Sequence, residues 1–147
     1  MFKYFVKFLT IILVVLCFYL TTNASGNIYP IGSRSAAMGR TSVAIIDFWG
    51  VMNNQAGIAL FDKPMVGIYY ENRFLLNQLS TKSVAGIWPL KYGVIAASYN
   101  YFGYKLYNDQ KIGLTYARAF GNMFRVGLQL DYIQTVLGNN YGSKGNV

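Results

Sequence analysis

Hydrophobic and polar residues alternate with a period of two along most of the chain after residue 64. In the run 125–135, RVGLQLDYIQT, Val126, Leu128, Leu130 and Tyr132 alternate with polar or small residues. Successive side chains of a strand point to opposite faces, so this pattern predicts one apolar and one polar face. The pattern recurs, and we expect strands over 65–74, 82–90, 93–102, 111–120 and 125–135. An antiparallel all-β fold is therefore predicted.

The predicted connections between these strands alternate in length. The segments 90–93, LKYG, and 121–123, GNM, are short turns, and in the first we expect Gly93 to supply a positive φ. The segments 75–81 and 103–110 are longer, and 138–147 is polar and irregular. Outer-membrane barrels have short periplasmic turns and longer external loops. The short turns are therefore expected to face the periplasm.

The composition favours a membrane environment. Charged residues make up 12% of the chain and aromatic residues 17%, whereas soluble domains carry about 25% charged residues. Aromatic side chains lie near the strand ends, which is typical of the two interface girdles of a barrel or of a soluble β core with tyrosines at its strand ends. They are Trp88, Tyr92, Phe120 and Phe124 at the short-turn ends, and Tyr99, Tyr101, Tyr104 and Tyr132 at the others. Arg118 shares the apolar face of its strand, so it either snorkels to the lipid headgroups or marks a slip in register.

The first 24 residues have the features of a secretory signal peptide. Lys3 and Lys7 precede an apolar run over 8–20, and small residues follow at 22–24. A membrane anchor is the alternative interpretation. Cys17, the only cysteine, lies in this segment, so the mature chain would contain no thiol. We divide the chain into a signal peptide over 1–24, an N-terminal segment over 25–63 and barrel strands over 64–147.

The segment 32–60 resembles a known family. Its runs GSRSAAMG, SVA and NNQAGIA resemble the N-terminal signature of the PorV/PorQ group. That group comprises outer-membrane β-barrels of Bacteroidetes that are linked to type IX secretion, and it is distantly related to FadL-type transporters of hydrophobic compounds. This chain departs from the pattern in two places. Arg40 stands where a second glycine is common, and Gln55 stands where proline is common.

The resemblance implies a small plug, formed by residues 25–63, inside the periplasmic end of a barrel. The motif residues that would carry it are Gly32, Arg34, Met38, Gly39, Asn54 and Gly57. It also implies location in the outer membrane of a Gram-negative, Bacteroidetes-like bacterium, with outer-membrane lipid and either secreted proteins or other secretion-system components as partners. From the residues alone, a short amphipathic helix of an ordinary core is equally compatible with this segment.

The residue inventory does not favour an enzyme. The chain has no histidine, and its acids are widely spaced, so neither a nucleophilic triad nor a paired-carboxylate, metal or cofactor site is predicted. The basic residues are scattered, which argues against nucleic-acid binding. Four charged residues are predicted to face the lumen, either as cross-strand ion pairs or as the lining of a polar passage: Glu71, Arg73, Arg125 and Asp131.

Five strands cannot close a barrel, because bacterial single-chain barrels have an even number of at least 8. An open sheet would leave unpaired backbone groups in lipid. We therefore expect this sequence to be the N-terminal part of a longer barrel, the alternative being closure by oligomerisation. The expected function is assistance to protein secretion or surface attachment. The alternatives are a FadL-like channel for hydrophobic compounds and a soluble periplasmic β-domain.

Overall fold

The computed structural model describes residues 30–121, 123–138 and 145–146. The predicted signal peptide, 1–24, and the first residues of the N-terminal segment, 25–29, lie outside them. The described chain forms one antiparallel sheet in which each strand pairs with the next along the sequence, so the all-β prediction is confirmed. Its strands are β1 (Met65–Asn72), β2 (Ser80–Leu90), β3 (Gly93–Tyr104), β4 (Tyr107–Phe120), β5 (Phe124–Leu137) and β6 (Gly145–Asn146). Among the described residues the sheet is not closed, because β1 and β6 form its two edges.

The strand register aligns residues of like character across the sheet. In one row Ile68 pairs with Val84, which pairs with Tyr99, and the row continues through Ile112 to Tyr132. We call this side the outer face; it also carries Val66, Trp88, Ile95, Leu114, Tyr116, Val126, Leu128 and Leu130. We call the other side the inner face; it carries small and polar residues, among them Gly67, Tyr69, Glu71, Ser83, Ser98, Lys111, Gln129 and Asp131.

The first predicted strand extends too far at its C-terminal end. β1 ends at Asn72, and Arg73–Leu75 forms a 3₁₀ turn in which Phe74 and Leu75 adopt φ of 57° and 56°. A second 3₁₀ turn, Asn77–Leu79, leads into β2. Left-handed backbone cannot continue a β ladder, so the alternation that reaches Phe74 in the sequence ends two residues earlier in the structure.

The prediction of a long loop over 103–110 is wrong. β3 continues to Tyr104 and β4 begins at Tyr107, so the two strands meet at a two-residue turn. Polar residues such as Asn108 and Asp109 belong to the paired ladder, where they face Gly103 and Phe102. The polar side chains of this segment predict a loop. In the structure they belong to paired strands, because the β3–β4 hairpin extends beyond the apolar part of the sheet.

The short turns lie where the sequence predicts them, between β2 and β3 and between β4 and β5. Gly93 does not adopt the expected positive φ, whereas Gly121 does, at 65°. The tail also differs from the prediction, because Gly145 and Asn146 pair with Thr135 and Gln134 of β5. Arg118 pairs with Val126, so the register continues through Arg118 without a slip.

The N-terminal segment, here residues 30–63, contains three short helical pieces and lies on the inner face. They are α1 (Ser33–Ala37), α2 (Gly50–Asn53) and a 3₁₀ turn, Gln55–Leu60. The 3₁₀ turn packs against β4 and β5, and α2 against β3. Val51 and Ile58 from this segment are buried with Ile87, Ala96 and Ala117 from the sheet, and together they form the core.

Candidate functional site

Two glycines on the inner face allow the N-terminal segment to lie directly on the sheet. A Cβ on Gly67 would lie 2.5 Å from the Phe48 ring, and one on Gly127 would lie 2.5 Å from the backbone nitrogen of Ala56. Real Cβ atoms do not approach other atoms this closely, so no larger residue fits at either position without displacement of the segment. The segment therefore covers the inner face and leaves the outer face uncovered.

Three of the six predicted plug-motif residues have structural roles in this contact. Gly32 precedes α1 with a φ of 120°, and a Cβ there would lie 2.8 Å from Cδ1 of Trp49. Asn54 caps the 3₁₀ turn, because its Oδ1 accepts a hydrogen bond from the N–H of Gly57 at 3.3 Å. Asn54 and Gly57 are thus brought together, while Gly32 packs against Trp49.

The other three motif residues lie apart from these. Arg34, Met38 and Gly39 are exposed, and Gly39 adopts a φ of 66° with open space around it. The six residues therefore do not form one binding site. A neighbour outside the predicted motif, Asn53, has a clearer role. Its Oδ1 accepts from the N–H of Ile31 at 3.2 Å and its Nδ2 donates to the carbonyl of Ile31 at 2.8 Å, which ties the start of the segment to α2.

Two of the four predicted lumen residues, Glu71 and Arg73, belong to one ionic cluster. Oε1 of Glu71 lies 2.8 Å from Nη2 of Arg40 and 3.2 Å from Nε of Arg73. The hydroxyl of Tyr69 donates to Oε2 of the same carboxylate at 2.8 Å. Because Arg40 comes from the N-terminal segment, this cluster, which we call the Glu71 cluster, joins the segment to β1.

A third predicted residue, Asp131, belongs to a second cluster. Its Oδ2 lies 2.9 Å from Nζ of Lys111, and its Oδ1 accepts from Nε2 of Gln129 at 2.7 Å. Gln55 donates to Oε1 of Gln129, so this second group, the Asp131 cluster, joins the segment to β5. Arg125 lies at the other end of β5, in register with Ala119, and belongs to neither cluster of the described residues. The four predicted residues thus share a face without forming one site.

The two departures from the PorV/PorQ pattern are the side chains that link the segment to the sheet. Arg40 has a φ of 66°, a backbone conformation that favours glycine, and its guanidinium contacts Glu71. Gln55 contacts Gln129 through an amide that proline would not provide. Neither residue is among the site residues predicted from the sequence. The sequence did contain a signal for them, because each is a polar residue at a position where the family pattern has glycine or proline.

The outer face carries large apolar side chains that no described residue covers. Leu114, Leu128 and Leu130 expose 62%, 71% and 81% of their surface. Thr115, directly after Leu114 in sequence, and Ala117, two residues further along, lie on the inner face and are buried. Two apolar depressions of about 370 and 690 Å³ also lie on the outer face, and both include Trp88 in their lining.

The end of the sheet opposite the short turns carries a distinct apolar loop. Phe74 and Leu75 expose 83% and 91% of their surface, although both lie in left-handed backbone. The base of this loop is held in place, because Nδ2 of Asn72 donates to Oδ1 of Asn77 at 3.3 Å and the Arg73 guanidinium lies 5.8 Å from the centre of the Phe102 ring. We call residues 74–76 the apolar loop.

The hairpin end of β3 and β4, at the same end of the sheet, has a polar network. The hydroxyl of Tyr107 donates to Oδ2 of Asp109 at 2.8 Å, and Oγ1 of Thr135 donates to Oδ1 at 2.6 Å. The hydrogen bond to Asp109 raises the pKa of Tyr107 above its ordinary value, and partial burial and the carboxylate charge act in the same direction.

In the described ranges, no group of three or more histidine, cysteine, aspartate or glutamate side chains is arranged to hold a metal ion. None of the helices in the described part of the chain combines the length and apolar character needed to cross a bilayer. Comparison of the chain with protein-family models, curated proteins and solved structures found no match. The features that indicate a function are therefore the two faces of the sheet and the apolar loop.

Proposed function

We propose that this chain forms strands of an outer-membrane β-barrel of the PorV/PorQ type, which assists secretion or surface attachment of proteins. One observation carries the membrane part of the proposal. The N-terminal segment covers the small and polar inner face, while the large apolar side chains of the outer face, Leu128 and Leu130 among them, remain exposed.

Because most of the large apolar side chains of the sheet lie on the face without a covering layer, this distribution differs from that in a water-soluble layered fold. There, a helical layer packs on the apolar face of a sheet, because burial of apolar surface contributes about 25 cal/mol per Å². Here the helical layer packs on the inner face, where a small apolar core that includes Ile87, Ala96 and Ala117 is flanked by glycines and hydrogen-bonding side chains, while the larger apolar side chains stay on the uncovered outer face. Lipid hydrocarbon is the partner that suits the outer face, and an enclosed interior suits the inner face.

The strand lengths support an orientation of the sheet relative to the two sides of the membrane. A tilted strand crosses a bilayer with about 9–11 residues, whereas β4 and β5 each have 14. The additional residues lie opposite the short turns, where β3 and β4 meet at Lys105 and Leu106. The connection from β1 to β2 at this end, residues 73–79, is also the longest one within β1–β5, and external loops of barrels are the longer ones, so we assign this end, with the apolar loop, to the cell surface.

The inner face and the apolar loop favour a role in secretion over uptake of hydrophobic compounds. An uptake channel requires an apolar pocket beside the plug, but the Glu71 and Asp131 clusters line the sheet there. The two apolar depressions lie on the outer face instead. The apolar loop exposes Phe74 and Leu75, and adjacent exposed apolar side chains are typical of sites that bind another protein.

A labelling experiment tests the membrane assignment. Leu114→Cys and Thr115→Cys, each in a Cys17→Ser background, provide single cysteines at adjacent positions of β4. A fluorophore attached at position 114 lies on the outer face, and one attached at position 115 lies on the inner face. In lipid vesicles, a doxyl-labelled phospholipid is expected to quench the label at 114 and not at 115. Equal quenching at both positions, or none at either, would contradict the proposed outer lipid face.

A cellular experiment tests the secretion role. Phe74→Ser with Leu75→Ser is expected to lower the amount of protein delivered to the cell surface, while the amount of barrel in the outer membrane stays the same. Met123→Ser, an exposed apolar residue at the short-turn end, is the control. Normal delivery combined with reduced uptake of a long-chain fatty acid would support the FadL-like alternative instead.

A further inference from the structure

Charged residues of the five long strands are sorted between the two faces. All three acids in β1–β5, namely Glu71, Asp109 and Asp131, lie on the inner face. The outer face of these strands carries two charged residues, Lys82 and Arg118, and both are cations. Because no carboxylate of these strands shares that face, a counter-charge for either cation has to come from outside the sheet.

The two cations also mark the limits of the apolar surface. Lys82 pairs with Tyr70 and Tyr101, and Tyr101 pairs with Gln110, so these residues form one row across the sheet. Arg118 lies eight residues beyond Gln110 along β4, about 26 Å at about 3.3 Å per residue. A strand tilt of about 40° reduces this to about 20 Å along the membrane normal, close to the apolar band of about 25 Å of an outer-membrane barrel.

The residues around each cation are suited to a headgroup. Tyr70 and Tyr101 are the cross-strand partners of Lys82 on the two neighbouring strands, so a tyrosine flanks it on each side. At the opposite limit, the Arg118 guanidinium lies 5.1 Å from the centre of the Phe120 ring. Arg118 and Lys91 line one depression of about 440 Å³, where their two positive charges outnumber the one negative charge of Asp62 from the N-terminal segment.

We propose that Lys82 and Arg118 bind lipid phosphate groups, one in each leaflet, so that the outer face selects lipids with anionic phosphate headgroups. The inference rests on the proposed barrel and adds a ligand class to it. Arginine forms paired hydrogen bonds with phosphate, and lysine acts as a point charge that tyrosine hydroxyls supplement. Phosphate supplies the negative charge that the outer face lacks, at the depth where both cations lie.

Tryptophan fluorescence measures this selectivity in the full chain. Trp88 lies on the outer face on the Arg118 side of the sheet, whereas Trp49 packs against Tyr69 on the inner face and provides a baseline that lipid does not reach. In vesicles, quenching by brominated phosphatidylglycerol is compared with quenching by brominated phosphatidylcholine. A second reporter, Val84→Trp in a Trp88→Phe background, lies on the outer face two residues from Lys82 and monitors its surroundings.

We expect phosphatidylglycerol to be preferred, and we expect Arg118→Gln to lower the preference at Trp88 about fivefold at low salt. Lys82→Gln is expected to have the same effect at the second reporter. Arg118→Lys should retain most of the preference, and Lys105→Gln, which removes a charge from the β3–β4 turn, should retain all of it.

Equal quenching by the two lipids, or a preference that survives both glutamine substitutions, would overturn the inference while leaving the barrel proposal intact. Absence of quenching by either lipid would overturn the barrel proposal itself, and the inference with it. A preference that falls with both glutamine substitutions and disappears in high salt would support the inference, because salt screens exposed charges.

Discussion

Nη2 of Arg40 lies 2.8 Å from Oε1 of Glu71, although Arg40 occupies left-handed backbone with a φ of 66°. For a residue other than glycine, this conformation costs roughly 1–2 kcal/mol. The contact with Glu71 offsets part of that cost and holds the N-terminal segment against β1. This contact and the hydrogen bond from Gln55 to Gln129 of β5 add two polar attachments to the apolar core that the segment shares with the sheet.

Substitutions at Arg40 separate the backbone cost from the ion pair. Arg40→Gly and Arg40→Ala both remove the guanidinium, but only glycine adopts a φ of 66° without strain. We expect the glycine variant to be more stable than the alanine variant by about 1 kcal/mol, as measured by chemical denaturation. A more stable alanine variant would show that the backbone at Arg40 is not strained. In both variants, amide exchange over 31–40 should be faster than in the parent chain.

Glu71→Gln is expected to loosen the same attachment by another route. The amide keeps the shape of the side chain but removes the negative charge between Arg40 and Arg73. Limited proteolysis should then cut residues 30–63 sooner while the sheet stays intact. Asp131→Asn is the matched control, because it removes a carboxylate from the other attachment and should leave amide exchange near Arg40 unchanged.

Gly127→Ala is expected to displace the 3₁₀ turn Gln55–Leu60. The added Cβ would lie 2.5 Å from the backbone of Gln55 and Ala56, which cannot rotate away as a side chain can. Hydrogen exchange should increase over 55–60, and the amides of β4 and β5 should remain protected. Leu128→Ala, on the uncovered face, should leave the turn as it is. Unchanged exchange in the Gly127 variant would place the segment elsewhere than on the inner face.

The apolar loop offers a stability test that is independent of any partner. Leu75 has a φ of 56° and exposes 91% of its surface, so Leu75→Gly relieves strain and gives up little burial. We expect no loss of stability, and a gain of up to about 1 kcal/mol. Leu76 has a φ of −98°, so Leu76→Gly should destabilise the chain by about 0.5–1 kcal/mol. Equal losses in the two variants would contradict the strained loop.

A charged substitution on the outer face should lower the free energy of unfolding by an amount that depends on its depth in the bilayer. Leu130 shares its row with Leu114, Ala97 and Val66, midway between the rows of Lys82 and Arg118. In a bilayer, Leu130→Arg is expected to cost about 2–4 kcal/mol, whereas Gln134→Arg, in the row of Lys82, should cost about 0–1 kcal/mol. Refolding into vesicles followed by denaturant titration measures both. Equal costs would argue against a lipid-facing surface.

The Tyr107–Asp109 hydrogen bond has a consequence at high pH. The pKa of Tyr107 is raised by its bond to Asp109, so the neutral phenol is favoured in the folded state. Its contribution to stability is complete below the ordinary tyrosine pKa, and is lost as the pH rises through the folded-state pKa. Asp109→Asn should lower the pKa of Tyr107 in a spectroscopic titration. Thr135→Val removes a different bond to Asp109 and should change it less.

The period of two in the sequence correctly predicted which side chains share a face. Val126, Leu128 and Leu130 lie together on the outer face, and the register of β4 against β5 runs through Arg118 without a slip. Strand ends were harder to predict. Phe74 continues the alternation in the sequence but lies in a turn, and Asn108 is typical of a loop but lies in a strand. The backbone conformation at a strand end depends on pairing partners elsewhere in the chain, so local sequence does not determine it.

For the candidate site, residue type indicated polarity but not partnership. Glu71 and Asp131 lie on the polar face that the sequence predicts for them, but Glu71 binds Arg40 and Arg73 whereas Asp131 binds Lys111. Arg40 and Gln55 were noticeable only as departures from a family pattern. Their contacts join residues 31 and 74 positions apart, a separation that no local pattern reports.

By itself, the sequence determined the strand faces, the short turns and the sorting of large apolar side chains onto one side, because side-chain direction alternates along every strand. Only the tertiary structure decided which face the N-terminal segment covers. That choice depends on close backbone approach at Gly67 and Gly127 and on the attachments through Arg40 and Gln55. These contacts require atoms from distant parts of the chain to meet within a few ångströms, and such meetings are set by packing of the whole sheet rather than by local preference.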